Sequence, residues 1–464
     1  MQNDESTQLV VSPFLESYRK GREWIVYNSL FGRPALLSDP CFRLLSKFKT
    51  PKSWAELGRS FEITDSSKWF RFFIRNHMLI ASGHNERQEI ERMVNRTVSK
   101  IVKGGDIVSL GLILDERCNF DCTYCMSLKM LDASQRTAPG EYRMKWEVAK
   151  GAVDTFMAFM AKQNRKEVEI YFGGSEPLLN WEVMKGVVEY CKSEYGSDHS
   201  FTFATNSNLS LVDEDKSRFL GENKFIVTSS LDGPQDVNDK TRRLAGGGGT
   251  YNQILTGWDV ISLHSNKLEW FILTLTDLNI NEIDEGFFDF LKERGITACS
   301  FESDLINPLC ASPEETVAAL LKFKGWAKKR DIHLSGMWEK PFLNMYEDKI
   351  KKRMFDCSAF VGRGVSVSPS GFLLPCTYSS TKLGHISHLE DLFASDGYRS
   401  LISSRAIGNI PECQGCEIEG QCLGGCYITT EYGNHTNTDR AFLYRCDVYK
   451  QVTRALLTES FNEA

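Results

Sequence analysis

Short apolar runs alternate with amphipathic stretches through the middle of the chain. VSLGLIL (108–114), VEIYFGG (168–174), FTFATN (201–206), FIVTSSLD (225–232), WFILTL (270–275) and ITACSFE (296–302) have the length and the β-branched and aromatic content of strands. Between them lie segments with helical spacing, such as KWEVAKGAVDTFMAFMAK (145–162) and NWEVMKGVVEYCKSEY (180–195). The alternation predicts an α/β unit over 105–311, a parallel sheet or barrel whose site lies at the C-terminal ends of its strands. Six units fall short of a closed eight-stranded barrel, so a partial (β/α)6 TIM-like barrel is expected.

The flanks read differently. EWIVYNSL (23–30) and RPALLS (33–38) suit a hairpin, and 39–48, 53–61 and 66–80 carry helical spacing, with Asp39 and Ser66 or Ser67 as N-caps. Two strands and three helices predict a small winged-helix-like module at 1–83. The charged stretch HNERQEIERMVNRTVSK predicts a linking helix within 84–104. From 312 to 464 the alternation stops, and helices at 313–331 and 340–354 lead into a Cys- and Gly-rich tail.

Composition narrows the function. Lys+Arg of 55 against Asp+Glu of 61 gives a net charge of −6, without the basic excess of a nucleic-acid surface. No apolar run approaches the roughly 20 residues that span a bilayer. MQNDESTQLVVSP lacks the basic start and apolar core of a signal peptide, so a cytoplasmic protein is expected. In that compartment clustered cysteines read as metal ligands or catalysts. Of 14 cysteines, Cys41, Cys191, Cys299 and Cys310 stand alone; the others fall in two groups.

The first group, Cys118-x3-Cys122-x2-Cys125, lies just after the first barrel strand. Three close thiolates can hold three irons of a [4Fe–4S] cube and leave the fourth open to a substrate. A structural zinc site needs four protein ligands, and no fourth Cys or His lies nearby. The spacing, the loop position and Tyr124 before the last Cys resemble the signature of the radical S-adenosylmethionine (SAM) superfamily. FGGSEPLLN (172–180) resembles the family's Gly-Gly-Glu-Pro motif, with Ser175 in place of the second Gly. Thr205-Asn206 resembles its Thr-Asn-Gly, with Ser207 in place of the Gly. SSLDGPQDVNDKTRR (229–243) is similar to the Ser-x-Asp-Gly-Pro of the SPASM branch. The resemblance implies a SAM site at Tyr124, Gly173, Gly174, Ser175, Glu176, Asn206, Ser230, Asp232 and Arg242. Arg242 would face the SAM carboxylate, for which a guanidinium fork is suited.

The second group is Cys357, Cys376, Cys413, Cys416, Cys422, Cys426 and Cys446, and it resembles the seven-cysteine SPASM pattern. The resemblance implies two auxiliary [4Fe–4S] clusters, hence three in all. Cys413, Cys416, Cys422 and Cys446 would hold the outer one, and Cys357, Cys376 and Cys426 the inner one. The inner fourth ligand stays open: Cys310 is the nearest spare cysteine, and otherwise the iron is free for a substrate thiolate. Cys-x2-Cys with Cys-x3-Cys alone would suit a zinc ribbon.

The family resemblance implies reductive cleavage of SAM, hydrogen abstraction by a 5′-deoxyadenosyl radical, and an electron donor such as flavodoxin or ferredoxin. The N-terminal module resembles the recognition element of enzymes that mature ribosomally made peptides, where a leader adds as a strand. The expectation is therefore a maturase of such a precursor that forms an intramolecular thioether. Carbon–carbon or cyclophane crosslinking and formylglycine formation on a sulfatase are the alternatives. No catalytic acid or base can be assigned; Glu169, Glu302 and Asp304 are barrel-facing candidates.

Overall fold

The computed structural model describes residues 6–57, 66–127, 141–264, 268, 270–346, 354–357, 359–433 and 438–462. The N-terminal unit has six strands rather than two: β1 (Gln8–Val11), β2 (Leu15–Lys20), β3 (Glu23–Asn28), β4 (Gly32–Ser38), β5 (Lys52–Ser53) and β6 (Leu79–Ala81). β2, β3 and β4 form an antiparallel meander, and β1 pairs antiparallel with β5 and β6. Its helices are Asp39–Ser46, Trp54–Leu57 and Ser66–Arg75. The expected helix over 66–80 ends early because His77 adopts a left-handed φ of 53°, which releases Leu79–Ala81 to pair with β1. The remainder of the helix expected at 53–61 lies outside the described residues, as do the side chains of Ser66 and Ser67. Ser38, not Asp39, occupies the N-cap position; Asp39 accepts from Trp24 Nε1 at 3.1 Å and pairs with Arg43 at 2.7 Å.

β3 serves two cores. Its Val26 packs with Leu37, Phe48 and Phe73 inside the N-terminal unit, while Ile25 and Tyr27 enter the main core of the protein. This follows from the alternation of side chains along a strand. The helix Glu86–Ile101 starts at Asn85, which accepts from Gln88 N at 3.2 Å, and buries Ile90, Val94, Val98 and Ile101 at helical spacing.

The six expected barrel strands are β7 (Ser109–Asp115), β8 (Glu167–Gly174), β9 (Ser200–Asn206), β10 (Ile226–Ser230), β11 (Trp270–Leu275) and β12 (Ala298–Ser303). They run parallel and adjacent in chain order. Two strands not read from the sequence extend the parallel run: β13 (His333–Ser335) on β12, and β14 (Gly364–Val367) on β7. β15 (Phe372–Leu374) and β16 (Gly384–His385) follow antiparallel, so the tail is built into the barrel sheet itself. The crossover helices Trp146–Lys162 and Trp181–Tyr195 bury Val153, Phe156, Val187 and Val188 against the sheet.

Beyond the barrel, Pro313–Lys328 begins with a full capping box between Ser312 and Glu315. The helix expected at 340–354 spans Lys340–Tyr346, and residues 347–353 lie outside the described residues. The last helix, Thr438–Ser460, packs on both. Among the described residues no helix is long and apolar enough to cross a membrane.

The N-terminal unit is clasped to the tail. Gly420 N donates to Ser29 O at 2.8 Å, and Arg87 Nη2 donates to the buried Glu419 Oε2 at 2.6 Å. A Cβ on Gly420 would stand 1.9 Å from Leu30 O, so only glycine permits this approach.

Candidate active site

The first cysteine loop leaves the C-terminal end of β7 and is fastened at several points. Asp121 N donates to Arg243 O at 2.7 Å and Thr123 N to Thr241 O at 2.9 Å. Cys118 Sγ accepts from Phe120 N at 3.3 Å and from Asn208 Nδ2 at 3.7 Å. Burial pushes the Cys118 thiol up to about 12 and the Cys122 thiol to about 11, so a bound cation must displace their protons.

Cys118, Cys122 and Cys125 line a cavity of about 350 Å³ at the C-terminal end of the strands. Of the nine residues expected around SAM, Tyr124, Gly174, Ser175, Asn206, Ser230 and Arg242 line it. Gly173, Glu176 and Asp232 stand behind that wall. A Cβ on Gly173 would meet Thr377 Cγ2 at 2.7 Å. The Glu176 carboxylate is fully buried and spent on protein donors: Ser207 Oγ at 2.9 Å, Asn208 N at 2.8 Å and Leu178 N at 3.0 Å. It holds the β8 and β9 termini together; burial raises its carboxyl despite those bonds. Asp232 accepts from Tyr124 Oη at 2.7 Å and Thr241 Oγ1 at 2.9 Å, and Tyr124 Oη in turn accepts from Arg242 Nη1 at 2.6 Å.

The wall fits a zwitterionic ligand. Asn206 Oδ1 and Arg242 Nε are buried with no hydrogen-bond partner, an acceptor and a cationic donor carried by two residues that line one cavity. Gly174 has φ of 119°, and a Cβ there would lie 2.3 Å from Asp115 O. The bare backbone at the end of β8 is therefore a steric requirement.

Among the three acid candidates, Glu302 lines the cavity. Its carboxylate accepts from Ser300 Oγ at 2.6 Å and Met337 N at 3.0 Å, and burial raises it. Glu169 lines a separate cavity of about 620 Å³, shared with Asp106 and Arg363. Asp304 is engaged in its own turn, accepting from Ile306 N at 2.8 Å and Asn307 Nδ2 at 2.7 Å. Tyr378, which is not among the expected site residues, also lines the cavity and is bonded to the Asn206 side chain. Its only sequence signal is its place two residues after Cys376.

The tail cysteines gather in two neighbourhoods. Burial holds Cys422 well above the usual thiol range, and Asp356, Cys446, Cys413 and Cys416 add to the effect. Burial pushes Cys376 to about 12, with Cys426 and Cys357 as its cysteine neighbours. Cys426 lines the active cavity as well as the cavity of the outer four. Cys310 belongs to neither: it is exposed, in a separate cavity with Asp277. Among the described residues no three His, Cys, Asp or Glu side chains have the spacing of a formed metal site. The fold thus gathers the thiols without fixing a coordination geometry.

Residues 112–289, which carry the end of β7, the cysteine loop and β8 to β11, match the radical SAM superfamily. The chain contains a radical SAM domain. The chain is 23% identical to the radical SAM cyclopropyl synthase TigE of Paramaledivibacter caminithermalis, over 98% of this chain and 97% of that protein. It is 23% identical to a cysteine-type anaerobic sulfatase-maturating enzyme of Clostridium novyi, over 72% of this chain and 90% of the other. The fold around the radical SAM domain is shared with anSMEcpe, solved with bound AdoMet (TM-score 0.60, 19% identity, 77% of this chain and 96% of that one). It is also shared with Streptococcus suis SuiB, solved bound to the precursor peptide SuiA (TM-score 0.51, 14% identity, 90% and 96%).

Proposed function

We propose that this radical SAM protein modifies a ribosomally made precursor peptide, with a cluster at Cys118, Cys122 and Cys125 and SAM in the adjoining cavity. The observation that carries the reading is the cavity itself: the three loop cysteines line it together with Asn206 and Arg242, each of which carries a buried polar atom without a partner. When bound, the cluster and SAM supply hydrogen-atom abstraction from an unactivated C–H bond. Arg242, oriented by Tyr124 and Asp232, receives a carboxylate, and Asn206 accepts from an ammonium group. Phe120, Met126, Ile272, Leu305 and Ile428 give the cavity an apolar share that limits water at the reacting carbon.

In the same reading Cys413, Cys416, Cys422 and Cys446 hold an outer cluster, and Cys357, Cys376 and Cys426 an inner one. An electron donor such as flavodoxin or ferredoxin supplies the reductant. A leader segment adds to an edge of the β2–β3–β4 sheet, whose outer strands pair only inward among the described residues. The product bond is a thioether. Cys310 is remote from the inner three, which leaves the inner fourth position for a substrate thiolate. Carbon–carbon closure is the second reading, favoured by the end-to-end likeness to a cyclopropyl synthase. Sulfatase maturation ranks below both, because those relatives leave about a quarter of the chain unmatched.

The test is anaerobic incubation of the reconstituted full chain with SAM, reductant and the small Cys-containing peptide encoded beside it. Loss of two hydrogens with loss of alkylatable thiol is the expected result. The same mass loss with thiols intact selects carbon–carbon closure. Absence of 5′-deoxyadenosine with iron fully loaded would defeat the enzyme reading altogether.

A further inference from the structure

Two buried arginines stand between the tail cysteine groups. Arg405 is 6% exposed and Arg445 5%. Arg405 Nη2 donates to Gly424 O and Gly425 O, both at 3.3 Å, and Nη1 to Thr430 Oγ1 at 3.2 Å. Arg445 Nη1 donates to Leu305 O at 2.9 Å and Asp304 O at 3.3 Å, while its Nη2 is buried without a partner. Every one of these acceptors is neutral. The nearby Asp356 carboxylate is paired with Lys340 at 3.4 Å.

A buried charge without a counter-charge is expensive. Beside Asp356 and Tyr427 for Arg405, and Tyr449 and Asp304 for Arg445, the acidic groups near these two are cysteine thiols. Arg405 has Cys413 and Cys426 as charge neighbours, and Arg445 has Cys426 and Cys446. Each arginine thus has one cysteine of the outer set and Cys426 of the inner set among its charge neighbours, and Arg405 bonds the two carbonyls that precede Cys426. Leu423, Gly424 and Gly425 all have positive φ (56°, 77° and 62°). This left-handed turn aims two carbonyls at Arg405 immediately before Cys426.

We propose that Arg405 and Arg445 form a fixed positive bridge that raises the reduction potentials of the tail centres, the inner one most strongly. The proposal rests on the reading of both cysteine groups as iron–sulfur sites. The added electron on a reduced centre is stabilised by cations that cannot be deprotonated or screened by solvent. The arginines touch no substrate; they are positioning residues that act through the centre.

The experiment is an EPR-monitored redox titration of the anaerobically reconstituted full chain, wild type against Arg405→Met, Arg445→Met, Arg405→Lys and Thr430→Asp. Iron and sulfide are counted first. A wild-type protein with no tail iron defeats the parent reading, whatever the arginines do. With tail iron present, the Met variants are expected to reduce at least tenfold less readily, about 59 mV for one electron, and Arg405→Lys to keep the wild-type potential. Thr430→Asp leaves the Gly424 and Gly425 contacts in place and neutralises Arg405; it is expected to lower the potential likewise. Unchanged potentials in fully loaded Met and Asp variants would overturn the proposal. So would loss of iron from every variant, Arg405→Lys included, since that marks a structural clasp alone.

Discussion

At the scale of single residues, the site is decided by which polar atoms are spent and which are free. Asp232 and Tyr124 are spent on each other and on Arg242, whose Nε remains unpartnered. Arg242→Lys keeps a charge but loses the fork and the Tyr124 contact. SAM binding by equilibrium dialysis is expected to weaken about tenfold, roughly 1.4 kcal/mol, with iron content unchanged. Glu176 behaves in the opposite way. Its three protein donors leave nothing for a ligand, so Glu176→Gln is expected to cost about 1–3 kcal/mol of stability by denaturant unfolding and to alter SAM affinity only through that loss. Glu176 follows the end of β8, as the motif suggests, whereas Arg242 follows the short helix Gln235–Thr241 and not a strand. The sequence could not separate their roles, because a motif gives the position of a carboxylate but not its hydrogen-bond partners.

At the scale of elements, the barrel strands were legible because each is a buried run closed by a helix with clear periodicity. β7 to β12 fall within about two residues of the runs read from the chain. The strands that escaped notice are short or polar. LESYRK in β2 alternates charge with partial burial, β5 has two residues, and GVSV in β14 sits inside a stretch whose cysteines dominate its reading. Their pairing partners are also far away in sequence: β14 finds β7 some 250 residues upstream. At the end of β8, Gly174→Ala would force Cβ against the Asp115 carbonyl, and the strand must retreat from it. The expected outcome is a lowered Tm with loss of SAM binding, while a substitution at the open Gly151 helix position leaves both unchanged.

At the scale of the whole molecule, the tail ties the other parts together. Its strands extend the barrel sheet, and its Glu419–Cys422 helix holds the N-terminal unit through Gly420 and Glu419. Arg87→Ala strands the buried Glu419 carboxylate. The expected cost is about 3 kcal/mol, read as roughly a hundredfold faster proteolytic release of the N-terminal unit. On the proposal that the tail cysteines hold iron, chelation is expected to speed the same cleavage in the wild type, since Cys422 ends the clasping helix. No sequence pattern announced this coupling, nor the convergence of Arg405 and Arg445 on Cys426. Both join residues that only the folded chain makes neighbours.

β3 sends Val26 into one core and Ile25 and Tyr27 into another. The first eighty residues are consequently no interchangeable cassette. A version borrowed from a relative would bring its own outward face to a surface shaped for Ile25, Tyr27, Leu30 and Phe31. Such chimaeras would fail at the seam before any peptide was offered to them; if the proposed leader docking holds, new peptide preferences are more readily gained by altering the rim of this sheet than by exchanging it.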